Sequence, residues 1–362
     1  MLNGIFVTGA TGFVGSHFVL EWLRARPEPV AALVRGGDAG AQTRLVAALD
    51  VARQARGQAD LPALDALTCV DGDVARPLCG LSQADTAPLR GTIDGFWHFA
   101  SELRYEDGHR DAIFRTNVDG ALHALELAQS LGVRRFVYVS TAYVCGRNEG
   151  LIEETLLPDS RAFSNAYEES KARAERELDT RCKAIGLPLT ILRPSIVIGP
   201  STTKSSRGTQ TGLFSLLHSV RWIRSSQAGA AMQFRVPACA AAEVNFIPVD
   251  HVIADMLALA EDGFGTQELY HLTSAASVSV EQCWQAISAV TGLTTATLAA
   301  PGSFEPTPAE RFIARRIGFF LSYITADRRF VRSLPSHDPV DAAAFTGYVR
   351  NAWQDIDRKA GG

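Results

Sequence analysis

The sequence lacks several features that would point to nucleic acid, export or a membrane. Its 35 basic and 39 acidic residues form no long run of one sign, so nucleic-acid binding is not expected. No uninterrupted apolar run approaches the roughly 20 residues of a membrane-spanning helix, so no transmembrane segment is predicted. No basic segment followed by an apolar signal region precedes the first predicted strand, so export is not expected.

Closely paired cysteines are also missing. The six cysteines are scattered along the 362 residues, and none has the short spacing of a zinc site: Cys69, Cys79, Cys145, Cys182, Cys239 and Cys283. A chain of this length, with 46% hydrophobic residues, can bury a large core and does not need disulfide bonds to be stable. We therefore predict no metal site and interpret the cysteines as reduced thiols of a cytoplasmic protein.

Short apolar runs alternate with longer helical patterns through about residue 200, which is typical of repeated βαβ units. The strands are predicted at Gly4–Thr8, Val30–Val34, Ala66–Asp71, Gly95–His98, Arg135–Ser140 and Leu189–Arg193. The runs are almost wholly apolar because helices cover both faces of such a sheet. The predicted fold is α/β, a Rossmann-type doubly wound parallel sheet with a smaller, partly helical substrate domain.

The pattern changes after residue 200. We predict the main domain over residues 1–200, with sheet contributions from about 243–275, and a mainly substrate-binding region with a C-terminal helical segment over 201–362. Ser201–Gln210 is rich in serine and threonine and is predicted as a mobile loop. A helix is predicted at Thr211–Arg224 and a short strand at Glu243–Val249.

Beyond Pro301 the sequence predicts one basic amphipathic helix. Its apolar face comprises Ile313, Ile317, Phe320 and Ile324, and the opposite face comprises Arg311, Arg315 and Ser322. Packing of the apolar face onto the substrate domain is the preferred interpretation. Contact with a membrane surface remains the alternative.

A glycine-rich segment directly follows the first predicted strand and leads into a helix. It comprises Thr8, Gly9, Ala10, Thr11, Gly12, Phe13, Val14 and Gly15. Three glycines at this spacing permit a tight turn, let the backbone approach a pyrophosphate and bring the helix close to the strand. The helix N-terminus then faces the negative charge. Its position at the start of a βαβ pattern predicts a dinucleotide-binding loop.

The end of the second predicted strand favours NADP(H). An NAD-specific site usually has an acidic residue there, whereas this sequence has Arg35. A guanidinium can pair with a 2′-phosphate through two hydrogen bonds, and Arg44 can provide a second contact. The alternative is that both arginines are simply solvated.

Tyr167 and Lys171 are spaced so that both side chains lie on one face of a predicted helix ending near Lys183. A neighbouring ammonium is expected to lower the pKa of a tyrosine, which makes the phenol an effective acid–base group. Thr141 follows a predicted strand at the sheet edge where ligands bind. These three residues are the predicted catalytic group. Ser140 is a less favoured hydroxyl donor, and Tyr143 is interpreted as a pocket wall.

These motifs resemble the extended short-chain dehydrogenase/reductase superfamily. The stretches Gly72–Ser82, His98–Ser101, Val139–Val144 and Asn245–Asp250 resemble more narrowly the branch of fatty acyl-CoA reductases and thioester reductase domains. The resemblance implies that Asp73 and Val74 contact the adenine. It also implies cofactor contacts for Ala100, Ser101, Tyr167, Lys171, Pro194, Ser195 and Val197.

The resemblance implies reduction of an acyl thioester, carried by CoA or by an acyl carrier protein, to an aldehyde and then in some members to an alcohol. An apolar acyl pocket is expected around Leu213, Phe214, Leu216 and Leu217, and phosphate contacts at Lys204, Arg207, Arg221 and Arg224. The alternative is that these residues are core and solvated surface. Other functions left open are a ketone reductase or secondary alcohol dehydrogenase, a nucleotide-sugar enzyme and a non-catalytic NADP(H) sensor.

Overall fold

The computed structural model describes residues 3–36, 40–104, 107–158, 162–209, 212–225, 233–264 and 268–360, with the side chains of residues 107, 316, 319, 359 and 360 left out. Gln210, the last residue of the predicted loop, and Thr211, the first residue of the predicted helix, lie outside the described residues.

Seven parallel strands form the central sheet, in the order β12-β7-β5-β4-β1-β2-β3. They are β1 Ile5–Thr8, β2 Val30–Val34, β3 Leu67–Asp71, β4 Gly95–His98, β5 Arg135–Val139, β7 Leu189–Pro194 and β12 Leu269–Leu272. The described short strands outside this sheet are β6 Gly150–Ile152, β8 Ile196–Ile198, β9 Phe234–Pro237, β10 Glu243–Val244, β11 Phe246–Pro248, β13 Val278–Ser279, β14 Ala296–Ala299 and β15 Arg328–Phe330.

The structure confirms the predicted fold class and all six predicted strands, with small differences at their ends. Residues of β1, β2 and β4 are buried at every position, as expected for a sheet that helices cover on both faces. The seventh strand, β12, pairs with β7 and lies within the 243–275 segment that was expected to join the sheet.

The described helices are α1 Phe13–Ala25, α2 Ala41–Ala55, α3 Gln83–Thr86, α4 Arg110–Phe114, α5 Gly120–Leu131, α6 Ala166–Ile185, α7 Leu213–Ser225, α8 Val249–Glu261, α9 Val280–Thr291, α10 Pro308–Arg316, α11 Gly318–Ile324 and α12 Ala342–Ala360. Helix α6 starts at Asn165, whose side chain accepts a hydrogen bond from the amide of Glu168, and ends at Gly186 in the left-handed conformation. None of the described helices has both the length and the apolar composition needed to cross a bilayer.

A second hydrophobic core lies beside the sheet domain and includes buried residues of α7, α9 and α12. The predicted strand at Glu243–Val249 is wrong in one respect, because it divides at Asn245 into β10 and β11. These two strands pair with different partners, β13 and β8. The Asn245 side chain hydrogen-bonds to Ser195 and to Ser274 instead of continuing one strand.

The segment after Pro200 is irregular as predicted, but its hydrogen bonds do not fit a mobile loop. The carboxylate of Asp250 accepts hydrogen bonds from the amide, at 2.8 Å, and the hydroxyl, at 2.5 Å, of Ser201. The Thr203 hydroxyl donates to the Ala55 carbonyl, and Asn351 donates to the Thr203 carbonyl. The segment is therefore bound both to the sheet domain and to α12.

The predicted C-terminal amphipathic helix is two helices, α10 and α11, which meet at Ile317 and Gly318. Glycine has low helix propensity, and Ile317 leaves the helical conformation at φ −102° and ψ 12°. Ile313, Ile317 and Phe320 are all buried in the second core. This packing agrees with the preferred interpretation and leaves little of the apolar face for a membrane surface.

Candidate active site

A cleft of about 430 Å³ opens along the carboxyl ends of the sheet strands. Strands β1, β2, β4, β5 and β7 all end at its edge, which is where ligands of doubly wound sheets bind. The cleft brings together all but one of the predicted site residues: Gly9, Thr11, Gly12, Phe13, Val14, Gly15, Arg35, Arg44, Asp73, Val74, Ala100, Ser101, Thr141, Tyr167, Lys171, Pro194, Ser195 and Val197.

The exception is Thr8, which is completely buried behind the glycine loop. Its hydroxyl lies 2.8 Å from Nδ1 of His98 and accepts a hydrogen bond from the amide of Ala100. Thr8 therefore joins β1 to the end of β4 and does not line the cleft.

The glycine loop has the shape that a dinucleotide pyrophosphate requires. Gly9 has φ +72°, and a Cβ atom there would lie 2.6 Å from the amide nitrogen of Ala100. A Cβ atom on Gly15 would lie 2.3 Å from the Gly9 carbonyl oxygen. Gly12 precedes α1 without a side-chain cap, so the first amides of this 13-residue helix are left for an anion. These residues fit a bound nicotinamide dinucleotide.

Arg35 and Arg44 line the end of the cleft that follows β2, as predicted. A guanidinium nitrogen of Arg44 donates to the Arg35 carbonyl, which fixes Arg44 beside the strand end. The carboxylate of Asp71, at the end of β3, accepts a hydrogen bond of 2.8 Å from the amide of Gly36. Asp73 and Val74 line the neighbouring wall, where the Asp73 carboxylate accepts from the amide of Ala75.

Lys171 is almost completely buried beside the strand end of β5. Its Nζ atom donates a 2.7 Å hydrogen bond to the Val139 carbonyl and lies 4.2 Å from the ring centre of Tyr138. Burial lowers the pKa of Lys171 to about 7, and the nearby carboxylate of Glu175 opposes that change.

Tyr167 lines the cleft one helical turn before Lys171, as predicted, but the expected effect of the lysine on its pKa is not seen. Burial raises the pKa of Tyr167 above its usual value, the charge of Glu168 adds to the increase, and a hydrogen bond with Ser101 opposes it. The ammonium of Lys171 is directed to the Val139 carbonyl instead. Tyr167 is therefore a protonated hydrogen-bond donor in this arrangement.

Two hydroxyls border the cleft at the end of β5. The Thr141 hydroxyl accepts a hydrogen bond of 3.3 Å from the amide of Tyr143 and keeps its own proton available for donation. The Ser140 hydroxyl is buried and has no hydrogen-bond partner among the described residues. Tyr143 lines the cleft, as its interpretation as a pocket wall requires.

A hydrogen-bond network that the sequence did not reveal connects the loop after β4 to α6. The Ser101 hydroxyl donates to Oδ1 of Asn117 at 3.1 Å, and Nδ2 of Asn117 donates to the Ser170 hydroxyl at 2.8 Å. Ser170 in turn donates to the carbonyl of Tyr167 at 2.8 Å. This network aligns α6, which carries Tyr167, with the loop after β4.

Ser195 is held at the cleft by a substrate-domain residue. Its hydroxyl donates to Oδ1 of Asn245 at 2.7 Å, and its amide donates to the Leu272 carbonyl. Beneath it, Arg193 and Glu175 form a buried pair with contacts of 2.9 and 2.6 Å. Segment 193–195 is thus fixed from both sides.

The cleft does not include the residues expected to hold the substrate. The four apolar residues are buried in the second core: Leu213, Phe214, Leu216 and Leu217. Arg221 pairs with Asp357, Arg224 lies 5.6 Å from the ring centre of Trp353, and Arg207 donates to Gln54. Lys204 donates to the Ser201 carbonyl. The burial of the four apolar residues agrees with the alternative that they belong to the core, and the phosphate contacts of the basic residues stay a prediction.

Several residues of the cleft wall were not predicted, among them Leu103, Thr116 and Tyr323. Tyr323 comes from α11 and meets Tyr143 edge to face at the cleft. No local sequence signal indicates this position, because it depends on the break between α10 and α11.

A family model described as male sterility protein matches residues 7–256. The chain belongs to the male sterility protein family. The match covers more than half of the chain and confirms the resemblance to fatty acyl-CoA reductases and thioester reductase domains. Members of this family are oxidoreductases of the short-chain dehydrogenase/reductase kind, and this chain is accordingly an oxidoreductase with a nicotinamide cofactor.

Several of the similar proteins are much longer, and this chain matches only a part of them. The chain is 32% identical over 212 residues to the nonribosomal peptide synthetase asaC of Aspergillus flavus, which is 54% of this chain and 20% of that protein. It is 27% identical to a putative fatty acyl-CoA reductase of Drosophila melanogaster, over 54% of this chain and 41% of that one. Three synthetases that the chain matches, asaC among them, are covered over only 4–25% of their length.

Two further comparisons cover most of both chains. Sterol demethylase protein B of Methylococcus capsulatus is 27% identical over 82% of this chain and 76% of that protein. The solved terminal R domain from the myxalamid PKS-NRPS pathway has a TM-score of 0.72 at 23% identity and covers 99% of this chain and 91% of that one. The structural likeness agrees with the fold described above.

Proposed function

We propose that the protein reduces an acyl thioester, carried on CoA or on an acyl carrier protein, to an aldehyde with NADPH as the reductant. The observation that carries the proposal is the placement of Thr141, Tyr167 and Lys171 in one cleft with the glycine loop, in a chain whose family includes acyl-CoA reductases. The aldehyde is then either released or reduced again to the alcohol.

The protein's own groups act on the substrate oxygen. A bound nicotinamide would supply hydride to the thioester carbonyl carbon. The hydroxyls of Tyr167 and Thr141 donate hydrogen bonds to the carbonyl oxygen as negative charge develops on it. A tyrosine whose pKa is raised by burial remains protonated and is suited to this role. Lys171 adds positive charge on the same side of the cleft when it is protonated.

The choice of NADPH rests on the end of β2. Arg35 and Arg44 line the cleft there, and the fixed position of Arg44 suits a 2′-phosphate that carries two negative charges. The Asp71 carboxylate is already bound to the amide of Gly36. The proposal places the enzyme in the cytoplasm, which agrees with six cysteines that are all free thiols.

A second candidate is reduction of a ketone or oxidation of a secondary alcohol. It is favoured by one relative, a putative dihydroflavonol 4-reductase of Synechocystis, which is 29% identical over 55% of this chain. The same three catalytic side chains serve either reaction, and fold likeness alone does not separate them.

Release of free thiol separates the two candidates. The enzyme is incubated with NADPH and a series of acyl-CoA thioesters, and cofactor absorbance is followed together with a colorimetric thiol reagent. Thioester reduction yields one thiol for each aldehyde formed. NADPH oxidation without thiol refutes the proposed reaction and supports the second candidate.

The role of Tyr167 is tested in the same assay. Tyr167→Phe removes a donor to the developing oxyanion, and the loss of such a donor lowers kcat by about 100- to 1000-fold. Tyr348→Phe is the matched control, because Tyr348 is buried in α12 and does not line the cleft. A Tyr167→Phe enzyme as active as the control would exclude the mechanism for both candidates.

A further inference from the structure

Two tyrosines close the cleft beside the catalytic group. The rings of Tyr143 and Tyr323 meet edge to face with their centres 4.3 Å apart, and each side chain is only 4% exposed. Phe330 supports Tyr143 from another side, with ring centres 5.4 Å apart. Both tyrosines line the same cleft as Thr141 and Tyr167, so they border the space beside the proposed catalytic hydroxyls.

The position of Tyr323 is fixed by hydrogen bonds around α11. The amide of Cys239 donates to the Ile324 carbonyl at 2.8 Å, and the buried Arg328 donates to the Ser322 carbonyl at 2.9 Å. Strand β15 then pairs with β6 of the sheet domain. Tyr323 is therefore held by contacts from three directions and does not belong to a free surface helix.

Among the described residues near the pair, the apolar side chains of α7 pack into the second core and do not line the cleft. Leu213 and Leu217 of α7 are at most 1% exposed and pack in the second core. The remaining substrate-side positions of the cleft include Ile196, Thr209 and Gly212. The cleft of about 430 Å³ also includes the positions expected to bind the whole cofactor, from Arg35 and Asp73 to Pro194, so only its end beside Tyr143 and Tyr323 is left for the acyl group.

We infer that Tyr143 and Tyr323 form a wall that limits the substrate to compact acyl groups and excludes long alkyl chains. This inference extends the proposed function and rests on it, because the proposed function supplies the acyl thioester as the substrate. The wall does not depend on how the carbonyl is activated, so it limits aldehydes in the same way as thioesters.

The physical reason is packing. A chain that reaches beyond the wall must displace an aromatic ring from a core that has the density of an organic crystal. In a hydrophobic pocket, one methylene too many costs about 10-fold or more in specificity. The kcat/KM of the wild-type enzyme should therefore fall steeply between butyryl-CoA and palmitoyl-CoA.

The test measures kcat/KM for acetyl-, butyryl-, octanoyl- and palmitoyl-CoA and for the corresponding straight-chain aldehydes. Tyr323→Ala should raise kcat/KM for the octanoyl and palmitoyl substrates by about 10-fold or more relative to butyryl. Tyr323→Phe is the matched control, because it keeps the ring and should keep the wild-type chain-length profile. Tyr323→Val repeats the test with a smaller loss of core volume, and thermal unfolding checks that each variant is folded.

The outcomes separate the two proposals. Thiol release at equal rates from butyryl-CoA and palmitoyl-CoA by the wild type would overturn the wall and leave thioester reduction intact. Reduction of compact aldehydes alone, with no thiol from any thioester, would overturn thioester reduction and leave the wall intact. A profile unchanged by both Tyr323→Ala and Tyr323→Val would also overturn the wall.

Discussion

Glu175 and Arg193 form a buried ion pair, and burial decides how much stability the protein loses when this pair is broken. The Arg193 side chain is 0% exposed and that of Glu175 is 2% exposed, and two hydrogen bonds join them. Glu175→Gln keeps the shape of the side chain but leaves a buried guanidinium without its counter-charge. We expect a loss of about 3–5 kcal/mol in the free energy of unfolding, the usual cost of breaking such a pair.

The same helix supplies the control. Glu169 also makes two hydrogen bonds to an arginine, Arg110, but these side chains are 34% and 46% exposed. Glu169→Gln should therefore cost only about 0–1 kcal/mol. Urea unfolding of both variants, followed by circular dichroism, gives the comparison.

A double variant checks the origin of the effect. Replacing both partners, as in Glu175→Leu with Arg193→Met, removes both charges and should lose less stability than Glu175→Gln. Equal losses from Glu175→Gln and Glu169→Gln would refute the reasoning, since geometry and not burial would then set the cost.

Three further predictions concern the cleft. Arg35→Ser should lower kcat/KM for NADPH by about 10- to 100-fold, because a charged hydrogen bond is lost, and should leave the NADH value unchanged; equal changes would mean that Arg35 does not contact a 2′-phosphate. Gly15→Ala should lower kcat/KM by about 100-fold through displacement of the phosphate loop, whereas Gly108→Ala, where a Cβ meets no atom within 4 Å, should not. Burial lowers the pKa of Lys171 to about 7, so the lysine loses its positive charge as the pH rises through that value. We therefore expect kcat/KM for the cofactor to decline at higher pH. Glu175→Gln removes the charge that raises this pKa, so it should shift the decline to lower pH.

The parts of this protein that the sequence predicted correctly depend on short stretches of chain. The apolar runs of β1 and β2 and the spacing of Tyr167 and Lys171 repeat with the periods of strand and helix, so they are visible locally. The glycine loop is also visible in a short stretch of sequence, because a tight turn between a strand and a helix permits few residue types. These features predicted the fold class correctly, and most of the residues expected to bind the cofactor line one cleft.

The sequence was least informative where distant segments meet. Arg221 was expected to contact a phosphate, and nothing in the sequence indicated its ion pair with Asp357, which is 136 residues further along the chain. Leu213 and Leu217 had the spacing of an amphipathic helix, which does not tell a pocket wall from a core. Tyr323 was missed because its place in the cleft follows from the break at Gly318 and from the anchoring by Arg328.

The raised pKa of Tyr167 bears on the role of this side chain and not on the direction of the reaction. Burial raises the pKa of Tyr167, so its hydroxyl keeps its proton near neutral pH. In carbonyl reduction this hydroxyl can donate a hydrogen bond to the developing oxyanion. Alcohol oxidation passes through the same transition state in reverse, and the same oxygen then accepts the proton. A raised pKa of Tyr167 therefore does not select one direction, and release of thiol from a thioester, not the pKa, decides which reaction the protein catalyses.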